Sequence, residues 1–307
     1  MDSKKRNALL LLCLMPLFFS SNIVFGRATV PTVEPWTLAF LRWSLAFVVL
    51  LPFCGRSITA HKSVFIKNWK LLTLLGFLGM WICGAIVYLA LRHTTATNGT
   101  LIYTTTPIMI LLLEWQFRGR AISIREIVGV ACAVIGVFVI VSQGSLTVLT
   151  QFQFNFGDLL FLGSAFSFAV YSVLLKRSEF NDVPTITLFS VVCLAGALTL
   201  LPFFVGEVLI TEQFPTDRFQ WTNIAGIVVI SSIFAFLSYQ YGVKIVGPAV
   251  TGLFMYLMPA FGVGLAVLFL GERLEDFHIA GSALIMFGLV LATLPKDMIR
   301  GRARTPV

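Results

Sequence analysis

The chain has 307 residues, of which 58% are hydrophobic and 12% charged, and its mean hydropathy is +0.92. A soluble domain carries about 25% charged residues, so these totals exclude a soluble globular fold. The net charge of +8 comes with no recognition motif that would indicate a nucleic-acid partner.

Runs of about 20 apolar residues are needed to cross a bilayer. They are expected at 8–26, 35–54, 70–91, 97–117, 124–142, 157–177, 184–205, 221–241, 248–270 and 276–294. Lipid gives the backbone no hydrogen-bond partner, so each run is predicted to be a helix. The fold class is therefore an all-α polytopic membrane protein with ten transmembrane helices. Lys4, Lys5 and Arg6 before the first run imitate a signal peptide, with Ala28 near a possible cleavage site. Retention of 8–26 as the first crossing is expected, since it keeps the number of spans even.

Span one carries Pro16 and, outward of it, Ser20, Ser21 and Asn22. Arg42 lies seven residues into span two; it either pairs or snorkels outward, or it meets a substrate carboxylate. In span three, Trp81, Ala85 and Tyr88 form one stripe beside Gly84. Span four is the most polar. Thr97, Asn98, Thr100, Tyr103, Thr104, Thr105 and Thr106 cover most of its outer half, and lipid would not tolerate that on every face. Asn98 and Thr105, seven apart, share a face. Pro107 falls near the midplane, and Glu114 is placed to pair with Arg118 at i+4.

A turn-like run, Ser142-Gln143-Gly144-Ser145, opens a connecting loop over 143–156. The loop divides the chain into 1–142 and 157–307. In span six, Ser164, Ser167 and Tyr171 share a stripe, and span eight carries Ser238, Tyr239, Gln240 and Tyr241. In span nine, Pro259 sits near the midplane next to Tyr256. An interior proline frees the carbonyl four residues back, here those of Tyr103 and Met255. These either face a shared cavity or are satisfied by nearby hydroxyls within a kink.

Trp36, Trp69, Trp115 and Trp221 at span ends read as an interfacial belt; Trp43 and Trp81 do not. The five cysteines all lie in apolar runs and form no C-x-x-C pair, which fits packing rather than a disulfide framework. His61, His93 and His278 are far apart, no metal-ligand spacing appears, and neither G-x-S-x-G nor a P-loop is present. An enzyme, a metal or a cofactor is not expected.

Placing both ends in the cytoplasm leaves only Arg27, Arg92, Arg218 and Arg273 outside, among 22 Lys and Arg, with Arg42 in a span. That asymmetry is the positive-inside pattern, and the basic clusters suit anionic headgroups. A shift of 152 residues superposes Leu101 on Leu253, Pro107 on Pro259, Gly119 on Gly271, Gly129 on Gly281 and Gly136 on Gly288. Because five spans is an odd number, a second copy would enter the membrane upside down. Inverted repeats of this kind serve alternating access around a midplane site.

Phe40-Leu41-Arg42-Trp43 in span two resembles the F-x-R signature of the EamA branch of the drug/metabolite transporter superfamily. Leu270-Gly271-Glu272-Arg273-Leu274, followed by Gly281 and Gly288, is similar to its second signature, and Pro107 and Pro259 also fit. One departure is Gly119-Arg120 in the first half, where the second has Gly271-Glu272. The resemblance spans the chain as a five-plus-five arrangement. It implies a bacterial inner-membrane exporter of amino acids or similar small metabolites.

The expected chamber combines Asn22, Trp81, Tyr88, Asn98, Tyr103, Thr105, Ser164, Ser167, Tyr171, Tyr239, Met255 and Tyr256, with Pro16, Arg42, Pro107 and Pro259 as structural or gating positions. Hydroxyls, amides and rings suit a small, partly apolar zwitterion, and ring faces attract an ammonium. No Asp or Glu falls near the midplane, which favours facilitated efflux over a buried proton relay. A sugar-phosphate or nucleotide-sugar carrier would call for several midplane cations. A lipid-handling protein would call for polar groups at one interface or a lateral groove. The partners expected are a small-molecule substrate and membrane lipids.

Overall fold

The computed structural model of the chain describes residues 3–94, 99, 102–142, 155–270 and 275–293. Every regular element among them is helical. The helices are α1 Ser3–Thr29, α2 Pro35–Ala60, α3 Trp69–Ala90, α4 Thr106–Arg118, α5 Ile124–Val141, α6 Phe156–Leu174, α7 Thr185–Thr211 and α8 Arg218–Val246. Beyond them, α9 comprises Pro248–Leu253, a 3-10 stretch Phe254–Leu257 and Met258–Leu270, and α10 is Asp276–Thr293. A short helix, Lys62–Lys67, links α2 to α3. Six of these (α2, α3, α6, α7, α8 and α10) are long and apolar enough to cross a membrane. Asn98, Thr97, Thr100, Leu101, the 271–274 motif and nearly all of the 143–156 loop lie outside the described residues.

Polar caps mark where several apolar runs begin. Capping boxes start α5 (Ser123 with Glu126), α6 (Asn155 with Asp158) and α8 (Asp217 with Gln220). They satisfy amide groups that a helix start leaves unpaired. At α2, Glu34 makes no side-chain cap. Instead the Glu207 carboxylate of α7 accepts from the amides of Trp36 at 3.3 Å and Thr37 at 2.6 Å. Gly119 ends α4 at φ +63°, a left-handed conformation that costs glycine nothing.

The helix ends gather at two ends of the bundle. At one, Arg92 pairs with Glu34 at 2.9 Å, Gln220 donates to the Thr32 carbonyl and Thr94 to Asp158. At the other, Lys176 donates to the Lys244 carbonyl at 2.6 Å and Lys244 to that of Val183 at 2.8 Å. Between them, large apolar side chains such as Phe53, Phe117 and Leu209 are exposed on the flanks. Such a band suits lipid, because nothing in hydrocarbon penalises it.

The two halves carry matched features. The Gly129 and Gly136 stretch of α5 lies against Gly288 and Gly281 of α10, so the helices run antiparallel. A Cβ at Gly129 would fall 2.5 Å from the Gly288 carbonyl oxygen, and one at Gly136 2.6 Å from that of Gly281. Only glycine permits such an approach. Helices α2 and α7 also pair antiparallel. Thr37 Oγ1 donates to Glu207 at 2.9 Å near one end, and Thr187 Oγ1 to Ser57 Oγ at 2.9 Å near the other. Thr37 and Thr187 stand 150 residues apart, as do Ser57 and Glu207, and Pro52 and Pro202. Each of α3 and α8 contains a π-helical segment, Phe77–Ile86 and Ile227–Phe234, whose starts have the same separation.

A π segment disturbs the i→i−4 ladder, and neighbouring side chains supply donors to its carbonyls. In α3 the carbonyls of Leu78, Met80 and Ile82 accept from Ser167 Oγ, Trp43 Nε1 and Ser164 Oγ. In α8 the carbonyls of Ile227 and Ser231 accept from Ser232 Oγ and Arg42 Nη2.

Candidate functional site

A cavity opens among α1, α2, α3, α6, α8 and α9, enclosing about 860 Å³ of atom-free space that includes its mouth. Phe19, Asn22, Arg42, Cys83, Val87, Tyr103 and Thr104 line it with Phe161, Phe168, Phe236, Met255, Met258 and Pro259, and Leu91 and Gly99 complete the lining. Arg42 is seven residues along α2, about 10 Å from that helix's start at ~1.5 Å per residue. The void thus runs from the middle of the bundle toward the end that holds the Arg92–Glu34 pair.

The opposite end is closed. Gln240 Nε2 donates to the Tyr171 hydroxyl at 2.8 Å, and the Ser172 and Tyr239 hydroxyls lie 2.5 Å apart. Arg118 donates to the Val173 carbonyl. Glu114 lies 3.9 Å from Arg118 and 3.7 Å from Arg120, and accepts from the Ala249 amide at 3.3 Å. Arg120 also pairs closely with Glu126. These contacts join α4, α5, α6, α8 and α9 beneath the cavity.

Arg42 is 2% exposed. Its Nε donates to Ser232 Oγ at 2.6 Å, Nη1 to the Tyr88 hydroxyl at 3.1 Å and Nη2 to the Ser231 carbonyl at 3.1 Å. Its guanidinium carbon lies 4.4 Å from the centre of the Trp43 ring and 5.8 Å from that of Phe236. The Tyr88 hydroxyl in turn donates to Asn22 Oδ1 at 3.1 Å. One polar chain therefore runs from α8 through α2 and α3 to α1.

Of the residues expected in a chamber, Asn22, Tyr103 and Met255 line this cavity, as do Arg42 and Pro259, expected as structural or gating positions, and Tyr88 accepts from Arg42. Thr105 turns its hydroxyl back to the Ile102 carbonyl at 2.6 Å, beside the lining residue Thr104. Ser164 and Ser167 hold the α3 carbonyls instead. Tyr171 and Tyr239 belong to the closed end. Trp81 stacks in an aromatic group with Trp36, Phe77 and Phe203. Pro16 and Tyr256 are buried in packing, and Pro107 lies near Gly252.

The Met255 carbonyl, expected to be freed by Pro259, accepts from the Met258 amide through the 3-10 turn. A tighter i→i+3 bond has replaced the one the proline removed. Thr104 and Thr105 form a turn at the matching place before Pro107.

Phe19, Phe161, Phe168 and Phe236 also line the cavity, and a pattern of polar groups along the spans does not mark them. The signal was available: Phe161 and Phe168, seven apart, share one face of α6. Among the described residues, no group of three or more His, Cys, Asp or Glu could hold a metal ion.

The profile of the EamA-like transporter family matches residues 6–142 and 155–294. The chain is similar to the uncharacterized transporter YyaM of Bacillus subtilis, 25% identical over 292 residues covering 94% of each chain. It is 27% identical over 290 residues to an uncharacterized transporter of Archaeoglobus fulgidus, covering 92% of this chain and 96% of that one. It is 26% identical over 301 residues to the uncharacterized inner membrane transporter YedA of Escherichia coli K12, covering 92% of each. A solved crystal structure shares the fold at a TM-score of 0.76 and 20% identity, over 96% of this chain and 99% of that one. With apolar flanks, a one-sided void and a family match along nearly its whole length, the chain belongs to the EamA-like transporter family of multi-pass membrane proteins.

Proposed function

We propose that the chain is a bacterial inner-membrane carrier that exports small metabolites, amino acids foremost, by alternating access. The observation that carries this reading is the cavity, which reaches from the middle of the bundle to one end while contacts between helices seal the other. A carrier held at one extreme of a rocking cycle would have this form.

In this reading residues 1–142 and 157–307 are inverted copies of one five-helix unit, giving ten crossings with both termini in the cytoplasm. The reciprocal glycine contacts favour it: a shift of 152 residues turns the Gly129–Gly288 contact into Gly281–Gly136. The Thr37–Glu207 and Thr187–Ser57 pairs exchange in the same way at a shift of 150. The sealed end carries Lys176, Arg177 and Lys244, so the positive-inside rule makes it cytoplasmic and turns the cavity outward.

Among the described residues lining the cavity there is no carboxylate to relay a proton, which favours facilitated movement down a gradient. Counterflow by purified protein in liposomes tests the function. An amino-acid panel is offered with and without a pH gradient, and saturable exchange that survives collapse of the gradient is expected. No exchange of any amino acid would remove the reading.

A further inference from the structure

Among the described residues that line the cavity, Arg42 carries the only formal charge. Its three hydrogen-bond partners, Ser232, Tyr88 and the Ser231 carbonyl, are all neutral, and no ion pair among the described residues includes it. A guanidinium has five N–H donors. Three are used in these contacts, and the side chain borders the void. A buried cation without a counter-charge carries a desolvation penalty of several kcal/mol, which neutral acceptors and ring faces offset only in part.

A purely structural role would make Arg42 a tie for the π segment of α8. Two observations argue that this task needs no charge. The matching segment of α3 is tied by a neutral donor, Trp43 Nε1, which reaches the Met80 carbonyl at 3.1 Å. The position 150 residues after Arg42 is Val192, buried in the paired helix α7. The helix pair packs with an apolar side chain at one of the two sites, so the cation at the other is held for something else.

We propose that Arg42 is the carboxylate anchor of the substrate. The inference rests on the carrier reading above and narrows the substrate class. The cavity takes a small molecule with one carboxylate and an apolar body set among Phe161, Phe168 and Phe236. A single guanidinium balances one carboxylate and leaves a phosphate dianion half neutralised. Among the described residues that line the cavity, no acidic group stands ready for an ammonium. The carboxylate is therefore read and the ammonium is not. The 2-oxo acid of a transported amino acid should move too, whereas its amide and its decarboxylated amine should not.

The test uses full-length protein in liposomes. Counterflow is measured for leucine and phenylalanine, the 2-oxo acid and the amide of each, and the two matching amines. Wild-type protein should move amino and oxo acids at least about tenfold better than amides and amines, the scale of losing a charge-assisted hydrogen bond. Arg42→Gln should reduce that acid-to-amide ratio by about tenfold or more, and Arg42→Lys should restore part of it. The wild-type ratio needs no variant, so misfolding of either mutant leaves the test intact. Equal movement of acids and amides, a preference for amines, or a ratio unchanged in a folded Arg42→Gln protein would overturn the anchor and leave transport standing. Movement of no probe at all would overturn the carrier reading, and the anchor with it.

Discussion

Replacing Gly136 by Ala tests the close helix pair directly. The added methyl would stand 2.6 Å from the Gly281 carbonyl oxygen, 2.8 Å from Ile285 Cγ1 and 2.9 Å from the Ile285 amide. Contacts below 3.0 Å are not sustained, so α5 and α10 must part by at least several tenths of an ångström. Two of the three neighbours are backbone atoms, so the strain cannot be relieved by a rotamer change alone. Overpacking of this kind costs about 1–3 kcal/mol, or roughly 1.5–5 °C in the unfolding midpoint for a chain of this size. The control is Gly163→Ala, where the methyl meets nothing within 4 Å and gains helix propensity. Midpoints would be read in detergent by thermal unfolding monitored with size-exclusion chromatography. Gly136→Ala should fall and Gly163→Ala should hold or rise. The pair Gly136→Ala with Gly281→Ala should cost less than the two singly, since one separation of the helices accommodates both methyls. Equal midpoints for Gly136→Ala and Gly163→Ala would refute the tight crossing.

Glu207→Ala should lower the unfolding midpoint by the equivalent of about 1–2 kcal/mol, because the amides of Trp36 and Thr37 lose their acceptor; an unchanged midpoint would sever that cross-helix cap. Cys54, Cys83 and Cys193 are all buried, but of the three Cys83 lines the cavity. In single-cysteine proteins a small thiol reagent should label Cys83 well ahead of the other two, and equal rates would contradict the one-sided void. Epitopes inserted at Lys62 and at Gln213 should lie on opposite sides of the membrane in intact cells, the first protected and the second accessible. The reverse result would invert the proposed orientation. Glu114→Ala removes an acceptor shared by Arg118, Arg120 and the Ala249 amide. It should loosen the sealed end and raise the labelling of a cysteine placed at Ser172; unchanged labelling would show that the seal does not depend on it.

Much of the fold was legible because a bilayer imposes a length on every crossing. Each of α1 to α10 overlaps an expected run, although α2 and α7 continue six residues past theirs, and six of the helices are long and apolar enough to cross; the Pro107/Pro259 and glycine correspondences are visible as spacing. Depth along a helix is readable too: it places Pro107 and Pro259 near the midplane, and the carbonyls four residues back are those of Tyr103 and Met255. What one sequence does not contain is the rotation of each helix. Ser164, Ser167 and Tyr171 form a stripe by arithmetic, but whether that stripe meets water or a neighbouring carbonyl depends on the π segment of α3, which periodicity gives no hint of. Arg42 stands out in the sequence as a cation within a span, yet its neutral surroundings depend on α8 lying beside α2. The Thr37/Thr187 register runs at 150 residues, so the 152-residue offset that aligns Pro107 with Pro259 does not reveal it.

Arg42 and Trp43 are neighbours in the chain, yet they hold different helices, α8 and α3 respectively. Their counterparts on α7 are Val192 and Cys193, which have no such reach. If the halves descend from one ancestor, divergence at this dipeptide has made them mechanically unequal. The stroke that faces the cavity one way is then not the mirror image of the stroke that returns it. Resting bias between the two states is thereby open to selection through two adjacent codons, without any change to the shared scaffold.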